Sequence, residues 1–535
     1  MGSDKKWWQD GVIYQIYPRS FSDSNGDGIG DLEGIRQRLD YIQELGVDAI
    51  WLSPIYPSPD VDFGYDVSNY VDIDPKYGTL ADFNALVADA HARGIRVILD
   101  LVLNHTSDQH PWFVESKKSK DNPFSDWYMW LPPKKDGSVP NGWQSIFGGK
   151  GWEYIPEREE YYFHMFYKEQ PDLNWRNPAV EEAIYDVFRF WMKQGADGFR
   201  LDVFNGYFKD ARHRDNPPKL GIRGFDRQQH VFDCDQPELI PVLKNIRKIV
   251  DDNPDGYTVG ETFLSTPEKA ARYCAPGLLH AAFNFGYLEC KWNPKAFATV
   301  IQKWEDVLQE GSWPTYVLNN HDVRRTGTRF TRGEDDRILK NAAVLMLTMR
   351  GTPFMYYGEE IGMRDIPVKR SEIQDPIGRK YWPFHVGRDG CRSPMQWDET
   401  ANAGFTRGKP WLPVHVNADL RTVKSQMADE QSLWHVYKKV LQLRKDYPVL
   451  RYGMFQPVTF EQKALLAYLR QDNEQTILVI INFKRRITRL ALGSDLQRAG
   501  WKELLSTEEN PDRFKDPGYI RVKGHEACIL LRTKG

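Results

Sequence analysis

Four carboxylic acids stand at or just past the ends of short apolar runs: Asp100, Asp202, Glu261 and Asp322. A lone acid in such a place is ordinarily a helix cap or a turn former. Four of them, each closing a strand-like run, form a pattern suited to catalysis. Breaking a glycosidic bond takes at least two carboxyl groups flanking it, one ionised as nucleophile or base and one held protonated. Arg200 lies two residues before Asp202, and residues i and i+2 of a strand share a face. Its guanidinium is therefore expected to hold Asp202 ionised at neutral pH. Two histidines accompany the acids: His105, in Asp100-Leu101-Val102-Leu103-Asn104-His105, and His321, directly before Asp322. Each reads either as a satisfied structural group or as a neutral partner for a hydroxyl. No HExxH spacing occurs, so metallohydrolase chemistry is not expected.

These acids need a scaffold that brings four strand ends together. Eight β-branched or aromatic runs recur, at 12–17, 49–52, 96–103, 198–202, 257–261, 281–285, 316–318 and 354–357. Helical patterns separate most of them, at 32–45, 80–93, 178–194, 237–251 and 337–349. Strands alternating with helices indicate βα units around a parallel sheet, and eight of them predict a (β/α)8 TIM barrel. Barrels place reactive groups at the C-terminal ends of their strands, where these acids fall. Between 103 and 198 lie about ninety residues where a helix and its loops take about forty. The excess, 105–172, is rich in Trp, Pro, Gly and Lys and reads as an inserted, loop-rich subdomain. A second elaborated loop covers about 358–404, and a last long helix 429–444. Short runs at 465–470, 475–483, 486–492 and 527–532 then predict a small antiparallel β domain. The expected division is a barrel over 1–104 and 173–450, the insert, and a C-terminal β-sandwich over 451–535.

Composition narrows the partners. Basic residues number 71 and acidic residues 74, a net charge of −3, which argues against a nucleic-acid binder. The longest apolar runs, such as 476–483, fall short of the ~20 residues of a membrane helix. Residues 1–6 hold no apolar stretch of the signal-peptide kind. The five cysteines are scattered without CxxC spacing, which fits a reducing, cytoplasmic setting. Aromatic residues make up 13% of the chain and cluster at 127–130 and 161–167. Aromatic faces pack against the CH faces of sugars, so carbohydrate is a candidate ligand class.

Taken together, DLVLNH at 100–105, GFRLD at 198–202, Val259-Gly260-Glu261 and Asn320-His321-Asp322 resemble the four motif regions of the α-amylase superfamily, glycoside hydrolase family 13. Gln170-Pro171-Asp172-Leu173-Asn174 resembles the extra motif of its oligo-1,6-glucosidase and α-glucosidase branch. The likeness covers about residues 7 to 450, and the tail only in general character. It implies Asp202 as nucleophile, Glu261 as general acid/base and Asp322 as the acid that binds and distorts the sugar ring. His105, Arg200 and His321 match ligands of the first glucose, and Asp62 and Tyr65 the grip on the non-reducing end. Phe147, Phe166 and Gln170 complete the implied pocket. Arg388 matches the arginine opposite Asp62, with Arg392 as its rival.

Residues 23–31 form a second candidate site. Asp23, Asn25, Asp27 and Ile29 place oxygen donors at alternate positions, Asp31 closes the run, and glycine stands sixth. That is the start of a calcium loop, although Gly34 stands where an EF-hand has its twelfth-position Glu. The alternative is an Asp/Gly turn. The resemblance favours one structural Ca²⁺ or Mg²⁺, and it calls for no organic cofactor.

The activity implied is that of a retaining, exo-acting α-glucosidase on short α-glucosides of the maltose, isomaltose or sucrose type. A sugar acceptor in place of water gives transglycosylation. The nearest rival is a sucrose isomerase, trehalose synthase or other glucosyltransferase with the same site. Non-catalytic relatives, such as amino-acid transporter heavy chains, are membrane-anchored and lack the intact acids. Val203, after the nucleophile position, points two ways: one branch pairs valine there with α-1,6 cleavage, another with α-1,4.

Overall fold

Short runs of Ile, Val, Leu and aromatic residues become eight parallel strands in a computed structural model of the protein, which describes residues 6–264, 266–459, 463–491, 493, 500–516 and 518–533. In chain order they are β1 (Ile13–Ile16), β2 (Ala49–Leu52), β3 (Arg96–Val102), β4 (Gly198–Asp202), β5 (Tyr257–Gly260), β6 (Ala281–Ala282), β7 (Thr315–Val317) and β8 (Thr352–Tyr356). Neighbours pair in the order β7-β8-β1-β2-β3-β4-β5-β6. Thr315 Oγ1 donates to the Ala282 carbonyl at 2.6 Å, which joins the two end strands. The strands are buried almost throughout, as parallel strands covered on both faces must be. The fold is the expected (β/α)8 barrel.

Local chemistry sets the helix starts. Thr79 and Asp82 form a reciprocal capping box before Leu80–Ala92. Asn177 accepts from Ala179 N, with Pro178 at the first position of Pro178–Lys193. Some expected elements depart from their patterns. The run 32–45 divides into Leu32–Arg36 and Leu39–Leu45, because Arg38 between them leaves helical geometry with ψ 6°. The sixth strand stops at Ala282, because Asn284 accepts from Tyr287 N and starts a helical turn, Phe285–Leu288. The last long helix begins at Leu433, not 429, where Ser432 caps it through His435 N.

Within 105–172, Trp130–Leu131, Glu160–Phe163 and Trp152–Ile155 make a three-stranded antiparallel sheet with Glu160–Phe163 in the middle. Its small core of Trp143, Trp152, Phe163, Met165 and Phe166 also takes in Val203, at the end of β4. The insert is thereby packed onto the rim that carries Asp202. The tail holds a five-stranded antiparallel sheet and a two-stranded one, Thr488–Ala491 with Tyr519–Val522. Leu465, Leu478, Leu490 and Ile520 from both sheets share one core. Residues 1–5, and Leu492 of the expected strand 486–492, lie outside the described residues. Among those described, no helix is long and apolar enough to cross a membrane, and all five cysteines are free and buried.

Candidate active site

Strand pairing brings the acids together. β3 and β4 align Asp100 with Arg200, and β4 and β5 align Leu201 with Gly260, so Asp202 and Glu261 leave adjacent strands at one level. Arg200 Nη1 donates to Asp100 Oδ1 at 2.7 Å and to Asp202 Oδ1 at 2.6 Å. Its Nη2 donates to Glu261 Oε2. Asp100 also accepts from the Tyr65 hydroxyl at 3.0 Å and from Trp51 Nε1 at 3.3 Å. This fourth acid is fully enclosed and orients Arg200 and Tyr65. Desolvation dominates at Asp202: burial pushes its carboxyl up to about 6, against the pull of Arg200. Asp202 is still mostly ionised at pH 7, but only by about one unit.

Asp322, just past β7, has the opposite balance. Burial would raise it, but His321, Arg388 and Arg392 hold its carboxyl well below the usual carboxylate range. Arg392 Nη2 donates to Asp322 Oδ1 at 2.8 Å, and Arg388 Nη1 donates to the same oxygen at 3.2 Å. His321 is stripped of water, which lowers it to about 3 and keeps the ring neutral. Its Nδ1 faces Gln15 Nε2 at 2.8 Å, and Tyr65 stacks parallel to it with ring centres 5.2 Å apart.

A cavity of about 860 Å³ opens over these groups. Asp62, Tyr65, His105, Phe147, Phe166, Gln170, Asp202, Glu261, Asp322 and Arg388 all line it. Arg200 and His321 lie behind the lining and act through the carboxylates. Gln170 Nε2 lies 3.1 Å from His105 Nε2 and donates to the Tyr65 carbonyl at 3.1 Å. Both expected arginines reach Asp322, but Arg392 is fully covered, and only Arg388 also donates to Asp62 Oδ1, at 2.7 Å.

Residues 23–31 lie apart from this cavity. Asp23 accepts from Asn25 N, Gly26 N, Gly28 N and Thr406 Oγ1. Asp27 accepts from Ile29 N and Asn25 Nδ2, while Asp31 accepts from Ser24 and caps the next helix through Gly34 N at 2.6 Å. Gly28 is required, because with φ +96° a Cβ there would lie 2.0 Å from the Lys409 carbonyl. Among the described residues no three His, Cys, Asp or Glu side chains converge as a metal site. The donor types, all oxygen, suit a hard cation, but here the carboxylates serve as turn and cap acceptors.

Three comparisons bear on this arrangement. Residues 15–453 match the model of the alpha amylase catalytic domain. The chain belongs to the alpha-amylase family. Residues 455–529 match the maltogenic amylase C-terminal domain. This alpha-amylase family member is 44% identical over 495 residues to a probable alpha-glucosidase of Rhizobium meliloti, covering 90% of each chain. It is 39% identical to an oligo-1,6-glucosidase of Parageobacillus thermoglucosidasius, covering 98% of this chain and 99% of the other. Among solved structures, an alpha-glucosyl transfer enzyme, XgtA, superposes with TM-score 0.93 at 39% identity, covering 99% of this chain and 100% of the other. The isomaltulose synthase of Erwinia rhapontici NX5, solved as a mutant with sucrose, does so at 0.89 and 32%, with coverage of 99% and 100%. The protein is a glycoside hydrolase by family.

Sequence reasoning missed Asp375. It is fully buried and accepts from Arg388 N at 2.6 Å and Nε at 2.9 Å, which aims that guanidinium at Asp62 and Asp322. Also missed was the fully buried pair Lys209–Asp172, with Lys209 Nζ donating to Asn104 Oδ1 at 2.9 Å. That pair ties the segment carrying Gln170 to the segment carrying His105. Acids and lysines inside irregular loops carry no periodic signal that would mark them.

Proposed function

We propose that the protein is a retaining, exo-acting α-glucosidase that releases glucose from the non-reducing end of short α-glucosides. The observation that supports this most directly is one guanidinium, Arg200, bonded to both Asp202 and Glu261 on adjacent strands, beneath a cavity walled by the Asp62–Arg388 pair. Glu261 protonates the glycosidic oxygen while Asp202 attacks C1 and the leaving alcohol departs. Glu261, now a carboxylate, deprotonates water, which breaks the C1–Asp202 ester and restores both groups. Asp322, held ionised by two arginines, takes the sugar's ring hydroxyls. Asp62, Tyr65, His105, Phe147, Phe166, Gln170 and Arg388 are assigned to the first glucose, with Arg200 and His321 behind them.

Initial rates on maltose, isomaltose, sucrose and trehalose test the reading. Glucose release with inversion, or no release from any of the four, would overturn it. Transfer of glucose to a second sugar is the secondary reading, supported by the similarity to an alpha-glucosyl transfer enzyme and an isomaltulose synthase. The units 1–104 with 173–450, 105–172 and 451–535 are kept as the working domain division. A cytoplasmic site is supported by the five free, buried cysteines. One structural Ca²⁺ or Mg²⁺ is assigned to Asp23, Asn25, Asp27, Ile29 and Asp31 on donor chemistry alone.

A further inference from the structure

Asp202 ends β4, and Glu261 follows β5. Glu261 N donates to the Leu201 carbonyl at 2.9 Å, and beyond that bond the two segments leave the ladder. One buried side chain rejoins them. Asn205, three residues after Asp202, is fully covered, in the turn Phe204–Gly206. Its Oδ1 accepts from Phe263 N at 2.8 Å, and its Nδ2 donates to the Phe263 carbonyl at 2.9 Å. Phe263 lies two residues after Glu261. A single carboxamide thus takes both main-chain groups of a residue in the acid/base segment. Its orientation is set from the other side. Nδ2 also donates to Asp235 Oδ1 at 3.0 Å, and a carboxylate only accepts, so Oδ1 is left to face Phe263 N. Lys269 Nζ at 2.6 Å and the Tyr273 hydroxyl at 2.8 Å hold Asp235 in turn, both from the helix Pro267–Tyr273.

Backbone strain surrounds this contact. Val203, Asp235 and Leu264 have φ of 38°, 58° and 50°, left-handed values that cost energy for any residue but glycine, and most for a β-branched one. Val203 directly follows the nucleophile position, and Leu264 directly follows Phe263. Such residues persist only where their surroundings over-determine them. A turn-forming asparagine bonds its own main chain two residues on, whereas this one reaches 58 positions along the chain.

We infer that Asn205 is a positioning residue for Glu261, fixing where the acid/base stands relative to Asp202. This rests on the α-glucosidase reading above. Asp202 is paired with Val102 inside the ladder, whereas Glu261 lies past the end of β5. Losing the clamp therefore displaces Glu261 more than Asp202. The step that suffers is the transfer of the Glu261 proton to the glycosidic oxygen as the C1–O bond breaks. A leaving group that departs as a stable anion needs little of that proton. The ring of Phe263 also lines the cavity, so the comparison takes leaving groups of similar shape.

Two measurements test it, one of them independent of turnover. In Asn205→Ala, amide exchange at residue 263, followed by mass spectrometry, should quicken at least about tenfold, with the strand core unchanged. The kcat/KM for phenyl α-glucoside should fall about a hundredfold, and that for 4-nitrophenyl α-glucoside no more than about tenfold. Asp235→Ala, at the partly exposed end of the same chain of bonds, should give both effects at smaller size, which keeps the test open if the first variant folds poorly. Equal losses on the two glucosides, or unchanged exchange at residue 263, would overturn the positioning role. A wild-type protein that releases glucose from no α-glucoside would sink the hydrolase reading instead, and the exchange result would still decide whether Asn205 holds the segment after Glu261.

Discussion

Asp62 and Arg388 stand 326 positions apart in the chain and meet at 2.7 Å, where the loop after β2 touches the long loop after β8. The contact walls off one side of the cavity, and it is the physical basis for reading an exo enzyme. A cleft open at both ends would accept the middle of a polymer, whereas a walled one selects a chain end.

Replacing Asp62 tests that wall. Loss of a charged hydrogen bond in a covered site costs about 1.5–3 kcal/mol. Asp62→Ala should therefore lower kcat/KM on both maltose and isomaltose by roughly ten- to a hundredfold, with an unchanged circular-dichroism melt. Undiminished kcat/KM on both sugars would contradict a pocket built on Asp62.

Asp375 should act as a positioning residue. Its carboxyl resists burial through Arg388 and sits at about 2. Asp375→Asn keeps the shape and loosens the guanidinium. The expected result is a KM for disaccharides raised about tenfold, equivalent to about 1.4 kcal/mol, with kcat changed far less. A purely structural role would lower the active fraction at constant KM.

Much of this site was legible in the residues. Strand ends, acids and helix caps are local signals: Asp202 and Glu261 each close a strand, and Asn177-Pro178 announces a helix. Asp375 was not legible, because its role is set by a contact inside an irregular loop. Nor was the upward push of burial on Asp202. The spacing to Arg200 shows a nearby cation, but it does not show how completely both groups are removed from water, and burial wins.

The ionisation of Asp202 gives a pH prediction with a definite sign. Its carboxyl is raised from 3.8 to about 6, so between those values the folded state binds a proton that the unfolded state does not. Activity should fall about tenfold per unit below pH 6, as the nucleophile is protonated. Stability should move the other way, decreasing as pH rises through 4 to 6, by about 3 kcal/mol at most. Asp202→Asn should abolish this share of the stability profile. An acid limb near pH 4 in kcat/KM would show that Arg200 outweighs burial after all.

Stereochemistry follows from the double displacement. Proton NMR of the first glucose released from maltose should show the α-anomer. Early β-glucose would remove Asp202 as nucleophile.

Chelation addresses the loop 23–31. A cation bound only to the folded state raises stability by mass action. Chelator should lower Tm and leave kcat at moderate temperature nearly intact, and Asp27→Ala should mimic it and remove any further effect. Loss of turnover at constant Tm would make the ion catalytic. No change in either, with no metal by elemental analysis, would leave the loop as an Asp/Gly turn.

Arg200 is one guanidinium shared by three acids, Asp100, Asp202 and Glu261. With Asp100 and Asp202 ionised and Glu261 carrying the proton it will donate, that cluster is short of positive charge, and an incoming ring that develops a cation at C1 makes up the shortfall. A ring that already carries a protonated nitrogen meets the same deficit before any reaction begins. Basic sugar mimics should thus be held as stable counter-ions, more tightly as pH rises from 5 to 7 and the nucleophile's proton leaves. Uncharged mimics of the same shape would lack that gain.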